Sequence, residues 1–116
     1  MPEDWARPMV HWEIEAKDAE AMGKFYGELF NWTVGEGRIK NLSPGLGPPD
    51  PITGHIRQGE TSGVVLYIQV LDLATTLQKT RDLGGQVLRE PFQPQGSPTL
   101  AWIADPEGNR VVLVQQ

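Results

Sequence analysis

Imidazole titrates near neutral pH and offers two ring nitrogens, so His11 and His55, the two histidines of the chain, are its best candidates for moving a proton or holding a metal. His11 stands in "VHWEIEAKD", with Glu13 and Glu15 following at two-residue spacing. On an extended strand that spacing sets all three side chains on one face. A neighbouring carboxylate can orient the imidazole or raise its affinity for a proton, and Glu13 can itself serve as a base. The plain alternative is a solvated sheet face that happens to carry these three residues. His55 directly follows a loop rich in proline and glycine, where the plain reading is an exposed residue at the start of a strand. No cysteine occurs, which removes thiolate ligands, disulfides and cysteine nucleophiles. No Gly-x-Ser-x-Gly elbow occurs either, so the sequence offers no evident nucleophile.

The elements that must position these residues follow from periodicity. Val10, Trp12, Ile14 and Ala16 alternate with His11, Glu13 and Glu15, which predicts a strand. Asp18 caps a predicted helix, "DAEAMGKFYGELF", whose Met22, Phe25, Tyr26 and Leu29 form the expected buried face. "NWTVGEGRIKNL" predicts two short strands around Gly35-Glu36-Gly37, "SPGLGPPDPITG" a loop, and "HIRQ" a further strand. The order then begins again. "GVVLYIQVLD" predicts a strand, with Val65, Tyr67 and Gln69 on one side and Leu66, Ile68 and Val70 on the other. Asp72 caps a second helix with Leu73, Leu77 and Thr80 on its inner face, stopped by Gly84-Gly85. "QVLREP", "TLAWIA" and "RVVLVQQ" predict three closing strands, the last two joined by the turn "DPEGN". Trp12 and Trp102 are expected in the core; Trp5, in a polar arm, suits docking onto another surface.

Asp18 and Asp72, Ile14 and Ile68, and Leu29 and Leu83 are each separated by 54 residues. Strand, helix cap and helix end therefore keep one offset. A repeat of two βαβββ modules, about 8–58 and 63–116, within a single 116-residue domain is the simplest account. The net charge of −5, without a cluster of Lys and Arg, argues against nucleic acid as a partner. No basic amphipathic helix or long apolar run suggests a membrane, and "MPEDWARP" lacks the features of a secretion signal. The expected location is the cytoplasm.

Three phrases in this order, "VHWEIEAKDAEAMGKFYGELFNW", "YIQVLDLATTLQKTRDLGGQVL" and "DPEGNRVVLVQ", give the chain a resemblance to the vicinal oxygen chelate superfamily of glyoxalase I, extradiol dioxygenases and bleomycin-resistance proteins. Within it, the chain most resembles small glyoxalase-like proteins of undefined substrate. The resemblance implies an α+β fold in which two βαβββ modules form a curved mixed sheet around a cleft, with helices outside. It also implies four metal-ligand positions on the first and last strands of the modules. The first matches His11. Its counterpart in the second module is Val65, and the glutamate position of the last strand is Val112; neither side chain can bind a metal. The remaining position falls near His55. Aligning "TGH" with "PEGN" sets His55 against Asn109, ahead of the ligand position, whereas aligning strand ends brings it closer.

The expectation that follows is a small-molecule-binding protein, a homodimer, without the family's full metal site and without a cofactor. Its ligand would contact His11, Glu13, Tyr67, Gln69, Val65 and Val112. The alternative is a lyase, isomerase or dioxygenase-type enzyme acting on a carbonyl-containing metabolite. There His11 and Glu13 would be catalytic, and any divalent metal would be held by His11 and His55. An interaction module with a vestigial cleft is the third reading, suggested by the valines at two ligand positions.

Overall fold

A computed structural model of the chain describes residues 6–43 and 52–115. Trp5 and most of the "SPGLGPPDPITG" loop lie outside the described residues. Among the described residues, eight strands and two helices make an α+β fold: β1 (Met9–Ala16), α1 (Ala19–Phe30), β2 (Thr33–Val34), β3 (Ile39–Ser43), β4 (Gly54–Gln58), β5 (Gly63–Gln69), α2 (Leu73–Asp82), β6 (Gln86–Phe92), β7 (Thr99–Ala104) and β8 (Arg110–Gln115). Among the described residues no helix is long and apolar enough to cross a membrane.

The chain forms two compact units, His11–Val65 and the described part of Met1–Val10 with Leu66–Gln116. In the first, the strand order is β2-β3-β4-β1, with β1 parallel to β4 and the other pairs antiparallel. In the second it is β5-β8-β7-β6, with β5 parallel to β8 and the rest antiparallel. The same pattern thus occurs twice, in agreement with the 54-residue repeat. Both helices begin where the aspartates direct. Asp18 accepts a hydrogen bond from the Ala21 amide at 3.0 Å, and Asp72 accepts one from the Thr75 amide at 3.0 Å. α2 stops at Leu83, and Gly84 adopts a φ of +92°, a left-handed conformation that glycine takes at little cost.

The core of the Leu66–Gln116 unit gathers Val70, Leu73, Leu77, Ala101 and Leu113, with Val87, Ile103 and Val111 packed against it. Leu73 and Leu77 face inward as expected, and Thr80 is half-buried beside them. In the His11–Val65 unit, Ala16, Ala19, Leu42 and Ile56 form the centre, flanked by Trp12, Ile14, Met22, Tyr26, Trp32 and Val34. The buried face of α1 differs from the sequence expectation. Ala19, Met22, Gly23 and Tyr26 face inward, while Phe25 and Leu29 are exposed at 53% and 58%. The reason is steric. Gly23 has no side chain, and a Cβ there would lie 3.1 Å from Val34 Cγ1, so α1 sits close over β2 along its small-residue stripe. Periodicity identified the helix but weighted the larger apolar residues.

A second close approach sets the start of β4. Gly54 pairs with Trp12 across the β1–β4 ladder, and the indole lies directly over it. A Cβ at Gly54 would fall 2.2 Å from the Trp12 ring. The Trp12 amide also donates to Thr53 O at 3.2 Å, and its indole N–H donates to Ile52 O at 3.0 Å. Trp12 therefore clamps the entry to β4. Gly54→Ala is expected to lower stability by about 1–3 kcal/mol, the usual cost of overpacking. Urea denaturation of Gly54→Ala with and without Trp12→Leu checks this: the smaller residue should return part of the loss. An unchanged Gly54→Ala midpoint would contradict the clamp.

Candidate functional site

The site grows from the β1–β4 register. Glu13 lies opposite His55 and Glu15 opposite Arg57 in the parallel ladder. One residue before the Trp12–Gly54 pair, His11 comes abreast of Thr53. Residues opposite one another in adjacent strands point to the same side, and alternate residues share it. Three polar pairs are thereby stacked on one face: His11 with Thr53, Glu13 with His55, and Glu15 with Arg57.

Their side chains join in a zigzag. Thr53 Oγ1 is 2.6 Å from His11 Nδ1, His11 Nε2 is 2.7 Å from His55 Nδ1, and His55 Nε2 is 2.8 Å from Glu13 Oε1. Arg57 Nε lies 3.1 Å from Glu13 Oε1, and Arg57 Nη2 lies 3.2 Å from Glu15 Oε1. The Thr61 amide then donates to Glu15 Oε2 at 3.3 Å. Contacts straight across the ladder alternate with diagonal ones. The result is a continuous polar chain from Thr53 to Glu15.

This face is not the solvated one that the spacing allowed. Glu13 and Glu15 are 3% and 5% exposed, and His55, the residue expected at an open strand start, is 7% exposed. Arg57, from a strand more than forty residues away, lies within ion-pair distance of both carboxylates, and its charge makes their burial tolerable. The turn at Gly59 completes the cover, so close to Glu15 that a Cβ there would meet Oε2 at 2.2 Å.

Protonation follows from the partners. Burial opposes the charge on Glu13, but hydrogen bonds from His55 and Arg57, with the Arg57 charge, outweigh it and bring its pKa down to about 2. An ionised Glu13 only accepts, so His55 Nε2 carries a proton. With both rings neutral, His55 Nδ1 accepts from His11 Nε2–H, and His11 Nδ1 accepts from the Thr53 hydroxyl. Every donor in the row then points towards Glu13. Burial and the adjacent His55 hold the His11 pKa below its ordinary 6.5, against the opposing pull of Glu13. A proton arriving at His11 Nδ1 can be matched by release of Nε2–H to His55, which leaves the positive charge beside the Glu13 carboxylate.

The repeat locates His55 within its module. Tyr67 is the 54-residue counterpart of Glu13, and Tyr67 lies opposite Val112 as Glu13 lies opposite His55. His55 therefore corresponds to Val112, not to Asn109. The strand-end alignment is the one that the ladder supports. Tyr67 and Gln69, half-buried on β5, lie opposite Val112 and Val114 on β8. Val65 and Val112 are buried at 2% and 4%. The structure thus joins His11, Glu13 and His55 into one network in one unit, while Tyr67, Gln69 and Val112 are neighbours on the β5–β8 ladder.

A metal of the kind found in vicinal oxygen chelate proteins does not fit these residues. The facing nitrogens of His11 and His55 are bonded to each other, and Glu13 sits at the far nitrogen of His55. Among the described residues no three histidine, aspartate or glutamate side chains are arranged to hold one ion. Sequence reasoning missed Arg57 and Thr53. The available signal was the alternation in "TGHIR", which shares a face between Thr53, His55 and Arg57 once the strand is paired parallel to β1.

Acid should weaken the fold through this network. The Glu13 contribution is fully present above pH 4.5 and is lost as pH falls towards 2; the lowered His11 pKa acts the same way as pH falls below 6.5. Glu13→Gln is expected to cost about 2 kcal/mol at pH 7 and to flatten the loss of stability below pH 4.5. Urea titrations from pH 7 to 3 check this, and parallel curves for Glu13→Gln and wild type below pH 4.5 would contradict it.

Comparison with known proteins identifies the family and the fold. Residues 11–114 match the family model of the glyoxalase-like domain. A glyoxylase-like domain-containing protein from Didymella fabae is 28% identical over 108 residues, which cover 84% of each chain. A glyoxalase/bleomycin resistance protein/dioxygenase superfamily member from Vibrio splendidus superposes with a TM-score of 0.65 at 16% identity, over 95% of this chain and 98% of that one. Methylmalonyl-CoA epimerase from Mycobacterium tuberculosis superposes with a TM-score of 0.59 at 16% identity, over 92% and 86% of the two chains. The chain belongs to the glyoxalase-like domain family and has the fold of the glyoxalase/bleomycin resistance/dioxygenase superfamily.

Proposed function

We propose that this glyoxalase-like protein binds a small, oxygen-bearing molecule at the His11 end of the polar chain, without a resident metal. The observation that carries this reading is the unbroken series Thr53–His11–His55–Glu13, anchored by Arg57. Its buried end is closed by charge pairing. Its outer end is a half-buried imidazole beside an exposed threonine, the part of the chain that a ligand can reach. A carbonyl or hydroxyl oxygen there would exchange hydrogen bonds with His11 or Thr53, and the row behind would adjust its protons without a net charge having to enter from solvent.

The same row favours a second reading, proton transfer on a carbonyl-containing metabolite. His11 would be the catalytic base, with His55 and Glu13 accepting the displaced charge. The lowered His11 pKa keeps the imidazole neutral and competent as a base at physiological pH. The superposition with an epimerase shows a shared fold and leaves the substrate open.

A thermal-shift and imidazole-NMR screen of small aldehydes, thioesters and aromatic amides tests the proposal. A binding compound should raise the melting temperature of the wild type and move the His11 ring signals, and His11→Ala should abolish both effects. A screen in which no compound moves His11 would count against it. Elemental analysis of purified protein should find metal well below one equivalent. A stoichiometric ion that disappears in His11→Ala would overturn the metal-free reading.

A further inference from the structure

We infer that Thr53 is an acyl-accepting nucleophile, activated through the paired imidazoles of His11 and His55. Four features converge on it. Its hydroxyl lies 2.6 Å from His11 Nδ1, and the tautomer set by Glu13 makes that nitrogen the acceptor. The residue is exposed, so a reacting carbonyl can approach the oxygen. Its backbone carbonyl accepts from the Trp12 amide at 3.2 Å, and the adjacent Ile52 carbonyl accepts from the Trp12 indole at 3.0 Å, which fixes the main chain that carries the hydroxyl. Behind His11 stands a second imidazole backed by a buried carboxylate, itself fixed by Arg57. Hydroxyl, base and orienting carboxylate are the parts of an activated nucleophile, here with one more imidazole in the line.

The step balances. Thr53 Oγ1 attacks the carbonyl carbon of an activated ester or thioester and forms the new C–O bond. Its proton passes to His11 Nδ1, His11 Nε2–H passes to His55 Nδ1, and the positive charge rests on His55 beside Glu13. On collapse of the tetrahedral intermediate the bond to the leaving oxygen or sulfur breaks. The protons run back, and His11 Nδ1 protonates the leaving group. The products are an acyl-threonine and a free alcohol or thiol. Water activated by the same nitrogen then releases the acid. No oxidant or reductant is involved.

This covalent step goes beyond ligand binding and can fail separately from it. The test is incubation of the full chain with p-nitrophenyl acetate, followed by peptide mass mapping. The expected result is one acetyl group on the peptide containing Thr53. It should be absent in Thr53→Val and retained in Thr53→Ser, and in His11→Gln it should form roughly 100-fold more slowly. Circular dichroism of each variant confirms that it is folded. Since His11→Gln removes a residue of the network, the wild-type map is decisive by itself. An unmodified Thr53, with acetyl only on lysines, would overturn the proposal. So would equal rates of Thr53 acetylation in wild type and folded His11→Gln, because the imidazole would then contribute nothing. If Thr53 stays unmodified while small ligands still move the His11 signals, the nucleophile is excluded and the binding reading stands.

Discussion

The parallel pairing of β1 with β4 is the constraint on which the His11–Val65 unit depends. Its register sets Glu13 against His55 and Glu15 against Arg57, and carries His11 alongside Thr53. A shift by one residue would turn every one of these side chains to the opposite face. The register is held by shape as well as by hydrogen bonds. Trp12 covers Gly54 so closely that no larger residue fits, and its indole ties down the carbonyl of Ile52. One tryptophan–glycine contact on the apolar face thus fixes the alignment of the polar face behind it.

The polar face carries an electrostatic problem that charge pairing solves. Two carboxylates are buried within one turn of strand, and each would be costly without a partner. Arg57 serves both, His55 donates to Glu13, and the Thr61 amide donates to Glu15. Removing one member leaves a buried charge exposed to its neighbour, so the network acts as a unit. The same pairing orients the imidazoles. Once hydrogen bonds from His55 and Arg57 have fixed Glu13 as an ionised acceptor, against the opposition of burial, the proton positions along His55 and His11 follow, and the row ends at His11 and Thr53.

Much of this architecture was legible in the sequence. The aspartate caps, the alternating strands and the 54-residue offset located the ten elements of the described residues, and the family resemblance named the fold. His11 and Glu13 stood out from spacing alone. What escaped was non-local. Helix α1 buries Gly23 instead of Phe25 because close approach to Val34 outweighs apolar surface, a matter of shape that periodicity does not register. The glutamates looked solvated because their counter-ion, Arg57, arrives from a strand beyond a loop of irregular composition. His55 had two alignments for the same reason. Only the ladder, with Glu13 opposite His55 and Tyr67 opposite Val112, distinguishes them.

The central claim is that the register creates a directed row of hydrogen bonds from Thr53 through both imidazoles to Glu13. Long-range proton–nitrogen correlation NMR on protein with labelled imidazoles at neutral pH tests it most directly. The account predicts that both rings carry their proton on Nε2, with a coupling across the hydrogen bond between His11 Nε2 and His55 Nδ1. Nδ1-protonated rings, or the absence of any coupling across the His11–His55 hydrogen bond, would contradict it.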